Sequence, residues 1–113
     1  MQKNTHRILR NYTTLAGEIP FLKWLNKLKD SVTRLRIRHR LDRLELGNLG
    51  DCQSVGDGVF ELRLFFGSGY RIYFAEQDET IVILLCAGDK STQKKDIKIA
   101  KSYWQELKER SDE

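Results

Sequence analysis

The chain of 113 residues is long enough for one hydrophobic core and too short for two, so we expect a single domain over residues 1–113. Its 20 Lys and Arg residues exceed its 16 Asp and Glu residues, and the net charge of +4 favours an acidic or polyanionic partner. The Cys and His residues follow no metal-binding pattern and no apolar run suits a secretion signal or a membrane span, so we expect a cytoplasmic protein without metal, cofactor or membrane contact.

A strand and two helices are predicted in the first half of the chain. Residues 7–13 alternate weakly between polar and apolar side chains, which predicts a peripheral strand. Pro20 suits the first turn of a helix, and the residues after it give a buried stripe at helical spacing: Phe21, Trp24, Leu25 and Leu28. Asp30 and Ser31 indicate a break with a cap, followed by a second helix that ends at Gly47.

The second helix carries two neighbouring stripes of side chains. An apolar stripe, which we expect to face the core, consists of Ile37, Leu41 and Leu44. A basic stripe beside it consists of Arg36, Arg40 and Arg43. After this helix, residues 48–58 are rich in glycine and turn formers and predict a loop.

A β-hairpin follows this loop. The segment Gly67–Gly69 predicts a three-residue turn between its strands. This turn places Arg63 opposite Tyr73, and it places Phe65 opposite Arg71. All four side chains share one face of the hairpin, because alternate residues of a strand point to the same side.

A third strand and a last helix complete the predicted fold. The strand Thr80–Cys86 is apolar on both faces, so we expect it to be covered on both sides. The helix runs from a cap at Thr92 to Arg110, with an apolar side formed by Ile97, Ala100, Trp104 and Leu107. The sequence therefore predicts an α+β fold: an antiparallel sheet with an N-terminal strand, a helical hairpin and a C-terminal helix.

Lysines are expected to approach the hairpin arginines from the end of the third strand. The predicted register places Leu84 opposite Arg71, so the following loop emerges near the hairpin turn and brings Lys90 towards Arg71. Lys94 and Lys95 lie on the first turn of the last helix, where cations oppose the helix dipole and suggest a task other than folding.

Two interpretations of the arginine pair stay open on these residues alone. Arg63 can pair with Glu61 and stack on Tyr73, which would only close the side of the sheet. Alternatively, the guanidinium groups of Arg63 and Arg71 hold nucleic-acid phosphates through planar, forked hydrogen bonds. The approach of Lys90 to the same rim favours the second interpretation.

Five segments are specific in combination: FLKWLNKLKD, LELGNLGD, GVFELR, GSGYRIYF and ILLCAGDKSTQKKDI. They resemble the addiction-module killer proteins, small toxins of the RelE/ParE superfamily close to its HigB-like and phage-derived Gp49-like branch. The resemblance extends from Tyr12 to Tyr103 and implies the RelE/ParE toxin-like fold.

The resemblance also implies the toxin of a type II toxin–antitoxin module. Such toxins form a hetero-oligomer with a small antitoxin, usually a helix-turn-helix protein in this branch. Many cut messenger RNA in the ribosomal A site without a metal ion and so inhibit translation. Because a ribose 2′-hydroxyl attacks the adjacent phosphate, an endoribonuclease of this kind needs a proton acceptor, a proton donor and cations.

Site residues follow from the matched motifs. Arg63 of ELR and Arg71 of YRIYF match the arginines of the family's active-site floor, and Lys90 of GDK matches its C-terminal basic position. The resemblance implies that the arginines bind the scissile phosphate, that Lys90 is a cation or proton donor, and that Tyr73 stacks or transfers a proton. The chain departs from the ribonuclease members, which end in a short basic segment with a tyrosine, because it continues into a helix.

Alternative functions remain at this stage. A ParE-like toxin would poison gyrase by binding it without cutting RNA, and a remnant would only bind its antitoxin. The basic stripe of the second helix suits contacts with RNA, an antitoxin surface or a solvated face, and we predict RNA contacts for it together with Lys94 and Lys95. His39, which lies among these arginines, fits a solvated side chain better than a catalytic one.

Overall fold

The computed structural model describes residues 6–111, and its elements follow one another as strand, two helices, four strands and a helix. The strands are β1 (Ile8–Asn11), β2 (Cys52–Gly56), β3 (Val59–Arg63), β4 (Arg71–Gln77) and β5 (Ile81–Gly88). The helices are α1 (Pro20–Lys27), α2 (Ser31–Glu45) and α3 (Gln93–Ser111), and a single 3-10 turn over Lys90–Thr92 precedes α3.

The strands form one sheet in the order β1-β5-β4-β3-β2. β1 lies at the edge, as expected for a peripheral strand, but it runs parallel to β5, with Ile8 opposite Ile81. The prediction of a purely antiparallel sheet is therefore wrong, and the sheet is mixed. Weak alternation within residues 7–13 carries no information on direction, which depends on how the α1–α2 crossover returns the chain.

The structure also corrects the predicted loop at 48–58, because β2 forms there and pairs antiparallel with β3. The connection is a two-residue turn in which Asp57 and Gly58 both have positive φ, of 56° and 83°. Asp-Gly is a preferred sequence for such hairpin turns. The sequence Asp57-Gly58 therefore indicates this turn. The strand itself gives no apolar pattern, because β2 lies at the edge of the sheet and most of its side chains are exposed.

The two hairpin registers differ from the predicted ones. Arg63 lies opposite Arg71, not Tyr73, because the connection is longer than Gly67–Gly69 and closes with a hydrogen bond from Leu64 N to Tyr70 O at 2.9 Å. In the next pair Arg71 lies opposite Gly88 instead of Leu84. The first register moves by two residues, which leaves every side chain on its predicted face.

Helices cover both faces of the sheet. One cluster of buried side chains joins α1 and α2 to the sheet and includes Phe21, Leu25, Ile37, Leu41 and Leu44. The other cluster joins α3 to the opposite face and includes Tyr12, Val59, Tyr73, Leu85 and Ala100. The expectation that the third predicted strand is covered on both sides is confirmed, since β5 is buried from Val82 to Gly88.

The helix caps are confirmed at one predicted position and corrected at the other. Asp30 caps α2 and accepts a hydrogen bond from Val32 N at 3.0 Å. The turn before α3 is capped by Asp89 and not by Thr92, because the Asp89 carboxylate accepts from Ser91 N at 2.9 Å. Thr92 supports this cap, since its hydroxyl accepts from Asp89 N at 3.3 Å.

Candidate functional site

A buried carboxylate organises the face of the sheet that carries the arginines. The side chain of Glu61 has no exposed surface and receives a hydrogen bond from Arg63 Nε at 3.0 Å and another from the Tyr73 hydroxyl at 3.0 Å. Gln93 at the start of α3 donates to it at 2.9 Å, and Gln53 of β2 donates at 3.4 Å. Glu61 therefore ties three strands to the last helix.

The same carboxylate also faces the second arginine. Arg71 Nε lies 3.6 Å from Glu61 Oε2, while Arg71 Nη1 donates to Gly69 O at 3.3 Å. This Nε is buried without a hydrogen-bond partner among the described residues, so the contact with Glu61 is an ion pair. One negative charge thus stands between two positive ones, and we call Glu61, Arg63, Arg71 and Tyr73 the carboxylate hub.

The hub has a defined protonation state. Burial raises the pKa of Glu61, but the hydrogen bonds from Gln93, Arg63, Tyr73 and Gln53 outweigh burial, and the pKa lies below its ordinary value. Burial and then the charge of Glu61 raise the pKa of Tyr73 far above its ordinary value. At neutral pH the hub therefore contains an ionised carboxylate, a neutral phenol and two guanidinium cations.

Exposure separates the members of the hub. The Arg63 side chain is 35% exposed and the Arg71 side chain 12%, whereas Tyr73 is fully buried with its hydroxyl turned to Glu61. The ion pair that the structural interpretation of Arg63 required is present. The pair is made through Nε at one edge of the Arg63 guanidinium group. The exposed part of the Arg63 side chain borders a cleft.

Lys90 lies beside Arg71, as the sequence predicts. A side chain added at Gly69 would approach the Cβ of Lys90 to 3.4 Å and Arg71 Nη1 to 3.8 Å, so the base of the Lys90 side chain and the Arg71 guanidinium flank this glycine. The Ser68 hydroxyl donates to Asp89 at 3.4 Å and links the hairpin turn to the residue before Lys90. Strand β5 thus delivers Lys90 to the rim that holds the two arginines.

Three clefts that share residues follow these cations across the surface. The helix cleft, of about 470 Å³, lies between α2 and the hairpin and includes Arg36, Arg40, Arg43, Asp51 and Arg63. The hairpin cleft, of about 350 Å³, includes Arg63, Arg71 and Lys90. The terminal cleft, of about 410 Å³, includes Lys90, Lys94 and Lys95. Eight predicted site residues therefore line these connected clefts, and we call them the basic track: Arg36, Arg40, Arg43, Arg63, Arg71, Lys90, Lys94 and Lys95. The ninth predicted site residue, Tyr73, is buried below this surface.

The α2 arginines have different environments within the track. The Arg36 guanidinium lies 4.0 Å from the centre of the Phe66 ring, a cation–π contact. Arg40 donates to Asn48 O at 3.1 Å and to Leu49 O at 2.5 Å, so it fixes the loop before β2. Arg43 is exposed, and His39 also lines the helix cleft.

Sequence reasoning missed the central part of the hub. It treated Glu61 as a partner of Arg63 alone, and it missed Gln53 and Gln93, which donate to the same carboxylate from β2 and α3. The available signal was an acidic residue in the middle of the apolar strand VFELR, because a charge there must be paired to be buried.

Among residues 6–111, no three His, Cys, Asp or Glu side chains gather as they would around a metal ion. Within the same residues, no helix is both long and apolar enough to span a bilayer.

Comparison with known proteins identifies the family. The profile of the family described as Phage derived protein Gp49-like (DUF891) matches residues 23–105, which include the carboxylate hub and the whole basic track. The chain belongs to this Gp49-like family. The family is of the RelE/HigB-like toxin type and supplies the toxin of toxin–antitoxin modules, which implies an antitoxin as partner.

A relative in Haemophilus influenzae (strain ATCC 51907 / DSM 11121 / KW20 / Rd) carries the description "Uncharacterized protein". It is 54% identical over 89 residues, which cover 79% of this chain and 90% of the relative. The similarity therefore extends over nearly the whole relative and beyond any single motif.

Proposed function

We propose that this protein is a single-domain, cytoplasmic toxin that cuts messenger RNA on the ribosome without a metal ion and thereby inhibits translation. The observation that carries the proposal is the meeting of Arg63, Arg71 and Lys90 at the hairpin cleft. Family membership supports a toxin in general. Three cations around one cleft favour a site that binds and stabilises a phosphate.

The proposed reaction transfers a phosphoryl group within the RNA. The ribose 2′-oxygen attacks the adjacent phosphorus, the bond to the 5′-oxygen breaks, and a 2′,3′-cyclic phosphate and a 5′-hydroxyl result. The 2′-hydroxyl loses its proton and the leaving 5′-oxygen gains one. Arg63 and Arg71 stabilise the extra negative charge on the phosphorane, and Lys90 acts as a further cation or as the proton donor.

Tyr73 has an indirect part in this proposal. Its hydroxyl is buried and donates to Glu61, so it orients the carboxylate that holds both arginines. This role replaces the stacking or proton transfer that the family resemblance implies, because a fully buried ring cannot contact a base from the cleft.

The remaining cations of the track suit RNA outside the reacting phosphate. Arg36, Arg40 and Arg43 border the helix cleft on one side of the arginine pair, and Lys94 and Lys95 border the terminal cleft on the other. We assign them to backbone contacts with messenger or ribosomal RNA. The proposed antitoxin is a helix-turn-helix protein that forms a hetero-oligomer with the toxin.

The decisive experiment compares RNA cleavage with gyrase inhibition. The protein is induced in cells, the 5′ ends of transcripts are mapped, and supercoiling by purified gyrase is measured in parallel. We expect new 5′ ends in phase with codons and unchanged supercoiling. Arg71→Ala, verified as folded by circular dichroism, should abolish the new ends, whereas Arg38→Ala, an exposed arginine of α2 outside the three clefts, should not.

Intact transcripts together with inhibited gyrase would reject the nuclease and support the ParE-like alternative. Normal growth with neither effect would leave a protein that only binds its antitoxin.

A further inference from the structure

Phe65 is the feature of the basic track that the fold does not explain. Its side chain is 80% exposed, in the connection between β3 and β4. The next residue, Phe66, is partly buried against the core and lies beneath Arg36. The connection therefore uses one of its two phenylalanines for packing and presents the other to solvent.

Phe65 differs from the other exposed apolar side chains. The other large ones in the described residues are aliphatic: Ile8, Leu15, Val32, Leu35, Leu46 and Leu49. None of these six borders the helix cleft or the hairpin cleft, whereas Phe65 borders both. Single exposed apolar residues are ordinary on protein surfaces, so the position of Phe65 matters more than its exposure.

The position of Phe65 is the boundary between two groups of cations. Arg36 and Arg43 line the cleft on one side, Arg71 and Lys90 line the cleft on the other, and Arg63 borders both. An apolar ring among arginines suits a ligand that alternates negative charges with flat, apolar faces. Single-stranded RNA has this alternation, because each phosphate is followed by a base that can stack on an aromatic side chain.

We propose that Phe65 is a stacking platform for a nucleobase next to the phosphate held by Arg63 and Arg71. The inference rests on the proposed RNA substrate and extends it from phosphate binding to base binding. Stacking on phenylalanine tolerates every base, so Phe65 contributes affinity and the position of the strand and little sequence preference.

The test measures binding without cleavage. A fluorescein-labelled RNA oligonucleotide of about ten nucleotides is 2′-O-methylated, so that it lacks the attacking hydroxyl, and its affinity is measured by anisotropy at low salt. Phe65→Ala and Phe65→Leu should each weaken binding about tenfold, because both remove the ring. Phe65→Trp should retain wild-type affinity, and its added indole fluorescence should be quenched by the RNA. Leu15→Ala, which removes an equally exposed side chain outside the clefts, should bind as wild type.

Several results would overturn the inference. Wild-type affinity in Phe65→Ala or in Phe65→Leu would show that the ring is not needed for binding. An unquenched indole in Phe65→Trp would show that no base stacks at this position. Failure of the wild type to bind the oligonucleotide would also reject the platform. Loss of antitoxin binding in Phe65→Ala with unchanged RNA affinity would identify a protein contact instead.

The outcome is distinguishable from failure of the proposed function. If Phe65→Ala loses RNA affinity but induction cuts no transcripts, the platform stands and the nuclease fails. If transcripts are cut and Phe65→Ala binds RNA as wild type, the nuclease stands and the platform fails.

Discussion

The carboxylate hub and the α2 side of the basic track hold their arginines in contrasting ways. In the hub, Arg63 and Arg71 are tethered through Nε to one fully buried carboxylate. On α2, Arg43 is exposed and Arg36 rests on an aromatic ring. Guanidinium groups held by a buried carboxylate favour a single geometry at the proposed reacting phosphate, whereas exposed surface cations attract a backbone of any sequence. The same surface therefore carries two arginines held by a carboxylate and, beside them, exposed arginines of α2.

The largest effect is expected from removing the charge of the hub. Glu61→Gln keeps the shape of the side chain but leaves Arg71, which is largely buried, without its counter-charge. Breaking a buried ion pair in this way costs about 3–5 kcal/mol, and we expect a loss of that order in the free energy of unfolding. Urea denaturation followed by circular dichroism measures it. Glu45→Gln, an exposed acid on α2, is the matched control and should change stability by less than about 0.5 kcal/mol.

Acid titration provides a second measurement on the same variant. The folded pKa of Glu61 lies below its ordinary value of 4.5, so its carboxylate stabilises the fold above that pH and loses this contribution as the pH falls through the folded pKa. The stability of the wild type should therefore decline below pH 4.5, and Glu61→Gln should decline less. Parallel acid curves for the two proteins would show that Glu61 is not an ionised partner of the arginines.

An intermediate effect is expected from replacing the planar guanidinium group of one hub arginine by an ammonium group of the same charge. Arg63→Lys retains a cation but cannot make planar, two-pronged contacts with a phosphate. We expect the yield of new 5′ ends on induction to fall about 100-fold, the usual order for loss of one transition-state donor. Arg38→Lys is the matched control on the exposed face of α2. Full cleavage by Arg63→Lys would mean that this residue supplies only charge.

The smallest effect is expected on α2. Replacing Arg36 and Arg43 together by Ala should weaken binding of the methylated oligonucleotide and reduce its salt dependence by about 0.7 in log–log slope for each lost phosphate contact. Anisotropy titrations across a range of NaCl concentrations measure this slope. A control that removes Arg38 and Arg34 should leave it unchanged, since neither residue borders the helix cleft. An unchanged slope in the Arg36 and Arg43 variant would point to a protein partner for this stripe.

Local patterns predicted the helices and the faces of the first hairpin. They placed Leu84 opposite Arg71, which is wrong, because an irregularity after Tyr73 pairs Leu84 with Phe74 and turns it to the α1–α2 side of the sheet. The apolar residues of α1 and α2 lie in the core, and the three cations around the hairpin cleft gather as expected. The error of two residues in the first hairpin left this result intact, because residues two apart on a strand share a face. It did change one contact, since Arg63 faces Arg71 across the strands and not Tyr73.

What escaped prediction depends on contacts distant in sequence. The parallel pairing of β1 with β5 joins residues more than 70 positions apart, and nothing within residues 7–13 encodes it. The hub draws Gln93 from α3 and Gln53 from β2 to Glu61, and neither glutamine has a local pattern that marks it. β2 was missed because an edge strand with exposed side chains has no apolar alternation.

The shared carboxylate has a consequence for the net charge of this surface. Two guanidinium groups and one carboxylate leave a surplus of one positive charge beside the sheet, and Lys90 adds another at its rim. A phosphate diester carries one negative charge and offsets half of this surplus. An anion bound at this rim reduces the repulsion between the cations and so stabilises the folded chain.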